Sequence, residues 1–133
     1  MNIRKLAAAV ATAALFAGAP ALAAAHEHGE TEAAGGAKLT NAEKAQARTV
    51  ELTVTRAGFV PAKVKVKKGE PLKLVVTRKT DKTCATEIVM KDEGVRAELP
   101  LDKPVTIYLK PSKAGSIRYA CGMDMISGRL IVE

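Results

Sequence analysis

A thiol and two thioethers fall within five residues at Cys121-Gly122-Met123-Asp124-Met125. Gly128 and the strand-like run Leu130-Ile131-Val132 follow, so these sulfurs sit on a short loop between two strands. Thiolate and thioether are soft ligands that favour Cu(I), and thiolate also suits zinc. Cys84, the other of the two cysteines, lies far upstream, so the fold must bring it to this loop or leave it idle. Two thiolates with one or two thioethers make a three- or four-coordinate, sulfur-rich site that suits Cu(I) best and Zn(II) less well. Cys84, Cys121, Met125 and Met123 are the candidate ligands. Glu87, three residues after Cys84, is a candidate oxygen ligand or acceptor at the edge of the site, against a plain reading as an exposed strand residue. Met90 ends an apolar run and reads as core.

Each candidate has a blander alternative. Cys84 and Cys121 are equally suited to a structural disulfide if the chain is exported to an oxidising compartment. Met123 and Met125 could pack on the core, although two methionines at alternate positions beside a cysteine favour ligation. Both histidines, His26 and His28, precede the region of regular patterning. A blue-copper site needs two imidazoles beside its thiolate, so that centre is disfavoured by inventory. The same absence removes the usual general base and the Ser-His and Cys-His nucleophile arrangements. Asp92-Glu93 stands beside Gly94 and reads as a solvated turn, and neither a CxxC nor a Gly-rich phosphate loop is present. The chain is therefore read as a non-enzyme.

The elements that must position these residues begin with an export signal over Met1–Ala23. Arg4 and Lys5 form its charged start, Leu6 to Ala17 its apolar run, and Ala21-Leu22-Ala23 its small-x-small cleavage pattern. The run is too short and alanine-rich for a membrane span. The remaining chain carries 19 Lys+Arg against 14 Asp+Glu, a formal +5. Lysines alternate with valines at Lys63-Val64-Lys65-Val66, which reads as the wet face of a strand rather than a nucleic-acid patch. Aromatics are 3% and Trp is absent, which argues against stacking on single-stranded nucleic acid. A basic face can still steer an acidic partner protein.

Residues 24–47 read as a flexible tail. His26-Glu27-His28 is a weak two-residue metal site or, more simply, solvated chain. Thr31 to Ala37 is a linker. Thr40-Asn41-Ala42-Glu43 has the form of a capping box and predicts a short helix to about Ala47. From Arg48 the apolar period becomes two. Val50-Leu52-Val54, Val64-Val66, Leu72-Leu74-Val76, Ile88 to Met90, Val95 to Leu99, Val105-Ile107-Leu109, Ile117 to Ala120 and Leu130-Val132 read as about eight short strands. Ala57 to Pro61, Lys68 to Pro71, Lys79 to Thr83 and Pro111 to Gly115 read as connections. This spacing predicts an all-β antiparallel sandwich or small barrel in one domain, 48–133. Both thiols meet at one end if the last two strands flank the strand that follows Cys84.

With those residues in view, the chain from about Val50 to Glu133 resembles the exported cupredoxin-like domains of the plastocyanin/azurin fold. The matching pieces are Gly58-Phe59-Val60-Pro61, Lys68-Gly69-Glu70-Pro71, Thr83-Cys84, Leu99-Pro100, Pro111 with Gly115, and Cys121-Gly122-Met123-Asp124-Met125 with Gly128. It is most similar to the small modules, free in the periplasm or attached to copper-transporting ATPases, that close on C-G-M-x-M-x-x-G. The resemblance implies a Greek-key β-sandwich, a periplasmic location, and copper as the bound ion. It matches Cys121 to the thiolate ligand and Met125 to the axial methionine. Cys84 stands where blue-copper members carry a histidine, and Met123 is the nearest replacement for the second. Sulfur in place of imidazole favours Cu(I) over Cu(II) and implies copper sequestration, or delivery to an exporter or cuproprotein. An electron-transfer centre of non-standard type and a metal-free, disulfide-stapled binding module remain the alternatives.

Overall fold

The computed structural model describes residues 31–32 and 36–133. The signal segment and the His26/His28 motif lie outside the described residues. In chain order the elements are β1 (Thr31–Glu32), α1 (Asn41–Gln46), β2 (Arg48–Thr55), β3 (Gly58–Val60), β4 (Lys63–Val66), β5 (Leu72–Arg78), β6 (Glu87–Met90), a 3-10 turn (Lys91–Glu93), β7 (Val95–Glu98), β8 (Pro104–Leu109), β9 (Gly115–Ala120) and β10 (Ser127–Val132). They form two five-stranded sheets, β1-β8-β5-β2-β3 (sheet I) and β4-β10-β9-β6-β7 (sheet II). Among the described residues no helix is long and apolar enough to cross a membrane.

The expected β-sandwich is present, with four differences of detail. β3 was expected as a turn, but Gly58–Val60 pairs with Thr53–Thr55 as a hairpin. Thr31–Glu32 was expected as linker, but it pairs in parallel with Val105–Thr106 of β8. The sheets are mixed rather than antiparallel, because β2/β5 and β4/β10 also run parallel. Parallel neighbours need long crossovers, here supplied by strands that pass to the other sheet. Finally, β6 is flanked by β9 and β7, and β10 lies one strand further away.

Alternation decides which face of each strand is covered. Leu52 and Val54 of β2, Leu72, Leu74 and Val76 of β5, and Val105, Ile107 and Leu109 of β8 point inward from sheet I. Ile88, Met90, Ile117, Tyr119, Leu130 and Val132 meet them from sheet II in one continuous core. Each large aliphatic side chain so buried stabilises the fold by about 1.5–3 kcal/mol. Met90 is core, as expected.

Tyr119 locks the end of the sandwich that carries the sulfurs. Its ring is fully buried and meets Phe59 edge-on, with centroids 5.2 Å apart and planes at 85°. Its hydroxyl donates to the Pro61 carbonyl at 2.8 Å. Burial pushes its phenol up to about 12. Gly128, its register partner on β10, leaves room for this ring, since an added Cβ would stand 2.5 Å from Tyr119 Oη and closer still to two ring carbons.

Residues 36–47 are laid against sheet I. The Ala37 N–H donates to the Tyr108 carbonyl at 3.0 Å. The capping box of α1 forms as predicted: Glu43 N–H donates to Thr40 Oγ1 at 3.2 Å, and Thr40 N–H donates to Glu43 Oε2 at 2.8 Å. Lys110 pairs with Glu43 Oε1 at 2.5 Å and, with Thr40, holds that carboxyl down at about 2. Lys44 lies 4.7 Å over the Tyr108 ring.

Candidate metal centre

Two loops at one end of the sandwich build the site. The first connects β5 to β6 and carries Cys84. It is shaped by local hydrogen bonds: Ala85 N–H to Thr83 Oγ1 at 3.2 Å, and Thr86 N–H to the Cys84 carbonyl at 3.0 Å. Leu99 N–H donates to the Thr86 carbonyl at 2.8 Å and ties this loop to the end of β7. The second loop connects β9 to β10 and opens on Cys121. Asp124 N–H donates to the Cys121 carbonyl at 2.9 Å, and Cys121 N–H to the Ile126 carbonyl at 3.0 Å, closing a compact turn. Asp124 adopts a left-handed φ of 61°, which aspartate tolerates better than most residues. Its carboxylate pairs with Arg118 of β9, fixing the turn to the sheet.

These loops bring Cys84 Sγ and Cys121 Sγ to 3.5 Å. Both thiols are free; Cys121 is buried and Cys84 half-buried. Burial pushes the Cys121 thiol up, but hydrogen bonds outweigh it. They come from the Ile126 N–H, the Cys84 thiol, and the Met125 and Met123 N–H groups, and the thiol lies below its ordinary value. Cys84 moves the other way, first because it donates to Cys121 and then through burial and the neighbouring charge. The pair therefore loses its first proton at Cys121, where loop N–H groups stabilise the thiolate, and keeps the second on Cys84.

The spacing fits an ion held between two sulfurs. At a metal–sulfur distance of about 2.3 Å, tetrahedral ligands stand about 3.8 Å apart, so the thiols need to open by only a few tenths of an ångström. A disulfide requires them to close to about 2.05 Å. Among the described residues there is no grouping of three or more His, Cys, Asp or Glu side chains suited to a metal. The soft donors nearest in sequence to Cys121 are the thioethers of Met123 and Met125. Met123 and Met125 are 73% and 71% exposed, so neither packs on the core.

Glu87 is placed beside the site but is already engaged. Arg96, across the β6–β7 hairpin, donates Nε to Glu87 Oε2 at 2.8 Å and Nη2 to Oε1 at 2.7 Å. The carboxylate lies over Gly122: a Cβ there would stand 2.6 Å from Glu87 Cδ and closer to Oε1. Gly122 and Arg96 are thus parts of the site that sequence reasoning did not single out for this role. A Glu and an Arg nine residues apart, on either side of the Asp92-Glu93-Gly94 turn, are the signal that could have found the pair.

Two facing five-stranded sheets with a paired-thiol loop site at one end define a β-sandwich of the small copper-protein type. The chain belongs to the family of the cupredoxin-like domain, whose sequence pattern it matches over residues 7–132. Among solved structures, an NMR solution structure of a copper binding protein in the apo form is 31% identical, with 78% of this chain and 97% of that chain covered and a TM-score of 0.61. The metal binding domain of the Streptococcus pneumoniae D39 Cu(I)-exporting P-type ATPase CopA, solved with Cu(I), is 24% identical over 80% of this chain and 97% of that one, with a TM-score of 0.63. Auracyanin B is 11% identical over 77% and 96%, with a TM-score of 0.57. The last two share the fold. A comparison with curated proteins returned no match.

Proposed function

We propose that this chain is an exported, periplasmic copper-handling protein that holds Cu(I) between Cys84 and Cys121, completed by the Met125 or Met123 thioether. It sequesters the ion or passes it to an exporter or a cuproprotein, and it is a carrier rather than a catalyst. The observation that carries this reading is the 3.5 Å approach of two free sulfurs beneath a loop with two exposed methionines. An all-sulfur donor set suits Cu(I). The copper binding protein at 31% identity supports the choice of ion. The export signal expected over Met1–Ala23 supports the compartment.

Each residue has a separate task. Cys121 is the readily ionised sulfur, held by loop N–H groups. Cys84 supplies the second sulfur from the opposite loop, where its partial exposure leaves a route for the ion. The thioethers reach solvent and are the donors that an incoming ion meets first. Glu87, with both oxygens on Arg96, keeps the Cys121–Gly122 backbone in place instead of donating to the ion.

The test is an anaerobic Cu(I) titration of the reduced, signal-free protein against a competing chelator, beside Cys84→Ser/Cys121→Ser. Tight one-to-one binding that the double variant loses is the expected result. Equal, weak binding by both proteins overturns the site and leaves the cysteines as a structural pair.

A further inference from the structure

A row of like charges crosses the outer face of sheet II. On β10, Arg129 is the register partner of Lys63 on β4 and of Arg118 on β9. Lys63 and Arg129 are exposed and Arg118 is half-buried. Like charges directly opposite one another on neighbouring strands destabilise a sheet, and the facing Arg129 and Lys63 have no carboxylate paired with them among the described residues. Lys91 and Arg96 extend the row. With Arg118 they line a groove that runs beside Cys121 and Gly122. Arg118 and Arg96 are engaged by Asp124 and Glu87. Lys63, Arg129 and Lys91 make no ion pair among the described residues.

We propose that this outer face of sheet II is the docking surface for an acidic protein partner, whose carboxylates supply the charge the row lacks. Charge complementarity of this kind steers encounter and fixes orientation. The shape of the band selects a protein over a continuous anionic surface. Glu87 and Glu98, register partners on β6 and β7, border it, as does Asp124, and Asp92 lies in the groove. A lipid bilayer would bring phosphate against all of these carboxylates. A protein can present its acids as a narrow row between them. Because the groove ends at Cys121, a partner seated on the row stands beside the thiol pair. The inference is independent of which ion the thiols hold, since it uses none of their chemistry.

The test is a titration of 15N-labelled metal-free protein with a deca-glutamate peptide at low salt, read by NMR. Two triple variants remove the same charge from different places. Lys63→Ser/Arg129→Ser/Lys91→Ser empties the row, and Lys67→Ser/Lys68→Ser/Lys113→Ser empties exposed positions elsewhere. The expected result is amide shifts clustered at Lys63, Arg118 and Arg129, with affinity falling about fivefold or more in the row variant and less than about twofold in the control. Equal losses in both variants would overturn the proposal, leaving only an effect of net charge. Binding of phosphatidylglycerol vesicles that depends on the row as strongly as peptide binding does would also overturn it, in favour of a membrane surface.

Discussion

Gly128→Ala is predicted to destabilise the domain through a single collision. Gly128 does not require a left-handed backbone, so alanine meets no conformational penalty there. On unfolded-state entropy alone the substitution would stabilise by about 0.4–1 kcal/mol. The collision opposes this. The new Cβ would lie 2.5 Å from Tyr119 Oη, whereas ordinary contact begins near 3.4 Å. The ring must therefore retreat by roughly 1 Å, which carries its 2.8 Å hydroxyl bond to Pro61 beyond the limit of about 3.5 Å. Overpacking of a core costs about 1–3 kcal/mol. Leaving a buried polar group without its partner costs about 1–3 kcal/mol more. After the entropy gain, a net loss of at least about 1–2 kcal/mol remains, a fall in Tm of roughly 4–16 °C for a domain of this size. Urea and thermal unfolding of the metal-free protein measure it. In a Tyr119→Leu background, where the ring is absent, the same substitution is expected to cost less than about 0.5 kcal/mol, because the two sites are coupled only through contact. A Gly128→Ala protein as stable as wild type, or equal losses in both backgrounds, would refute the steric argument.

Two further predictions concern the sulfur loop. Gly122→Ala drives a methyl group into the Glu87 carboxylate and is expected to weaken Cu(I) binding about tenfold, the scale of disturbed support around a metal site, with recovery when Glu87→Ala is added; a chelator competition measures both. Alkylation of the metal-free thiols is expected in two steps on raising pH, the first below the ordinary thiol range at Cys121 and the second above it at Cys84. In Cys84→Ala, which removes the thiol donor, the Cys121 step, followed by mass spectrometry, moves up. Because the lowered Cys121 thiol favours folding above its unfolded pKa and the raised Cys84 thiol favours it below, the two contributions to stability oppose each other across the alkaline range.

The strands were legible wherever one face is buried and the other wet, because period two reports that asymmetry directly. Leu72-Leu74-Val76 and Val105-Ile107-Leu109 are the clearest cases. β3 was missed because its three residues begin at Gly58 and run into Pro61, where turn chemistry dominates the local pattern. The parallel β2/β5 and β4/β10 pairs were not legible, since alternation carries no information on strand direction. In the site, residue types marked the candidate donors, and the loop ahead of β10 lies where the alternating pattern put it. The contact between Cys84 and Cys121 was only conditional, because it depends on how β6 and β9 pair. The bonds that engage Glu87 were not legible, because Arg96 reaches it across a hairpin. The docking of residues 36–47 was missed because it relies on backbone hydrogen bonds and on Lys44, Glu43 and Lys110, not on an apolar stripe.

The position of β10 has a consequence for the order of folding. Among the described residues it is the last of ten strands, yet it lies inside sheet II, between β4 and β9. Until it arrives, β4 has no neighbour in its sheet and the loop that follows Cys121 has no far wall. Most contacts that complete the sandwich join distant parts of the chain, a topology that folds slowly. A chain released with its N-terminus leading would stay open until β10 emerged. The 3.5 Å approach of Cys84 and Cys121 would be among the last features to form, although both residues precede β10 in the chain.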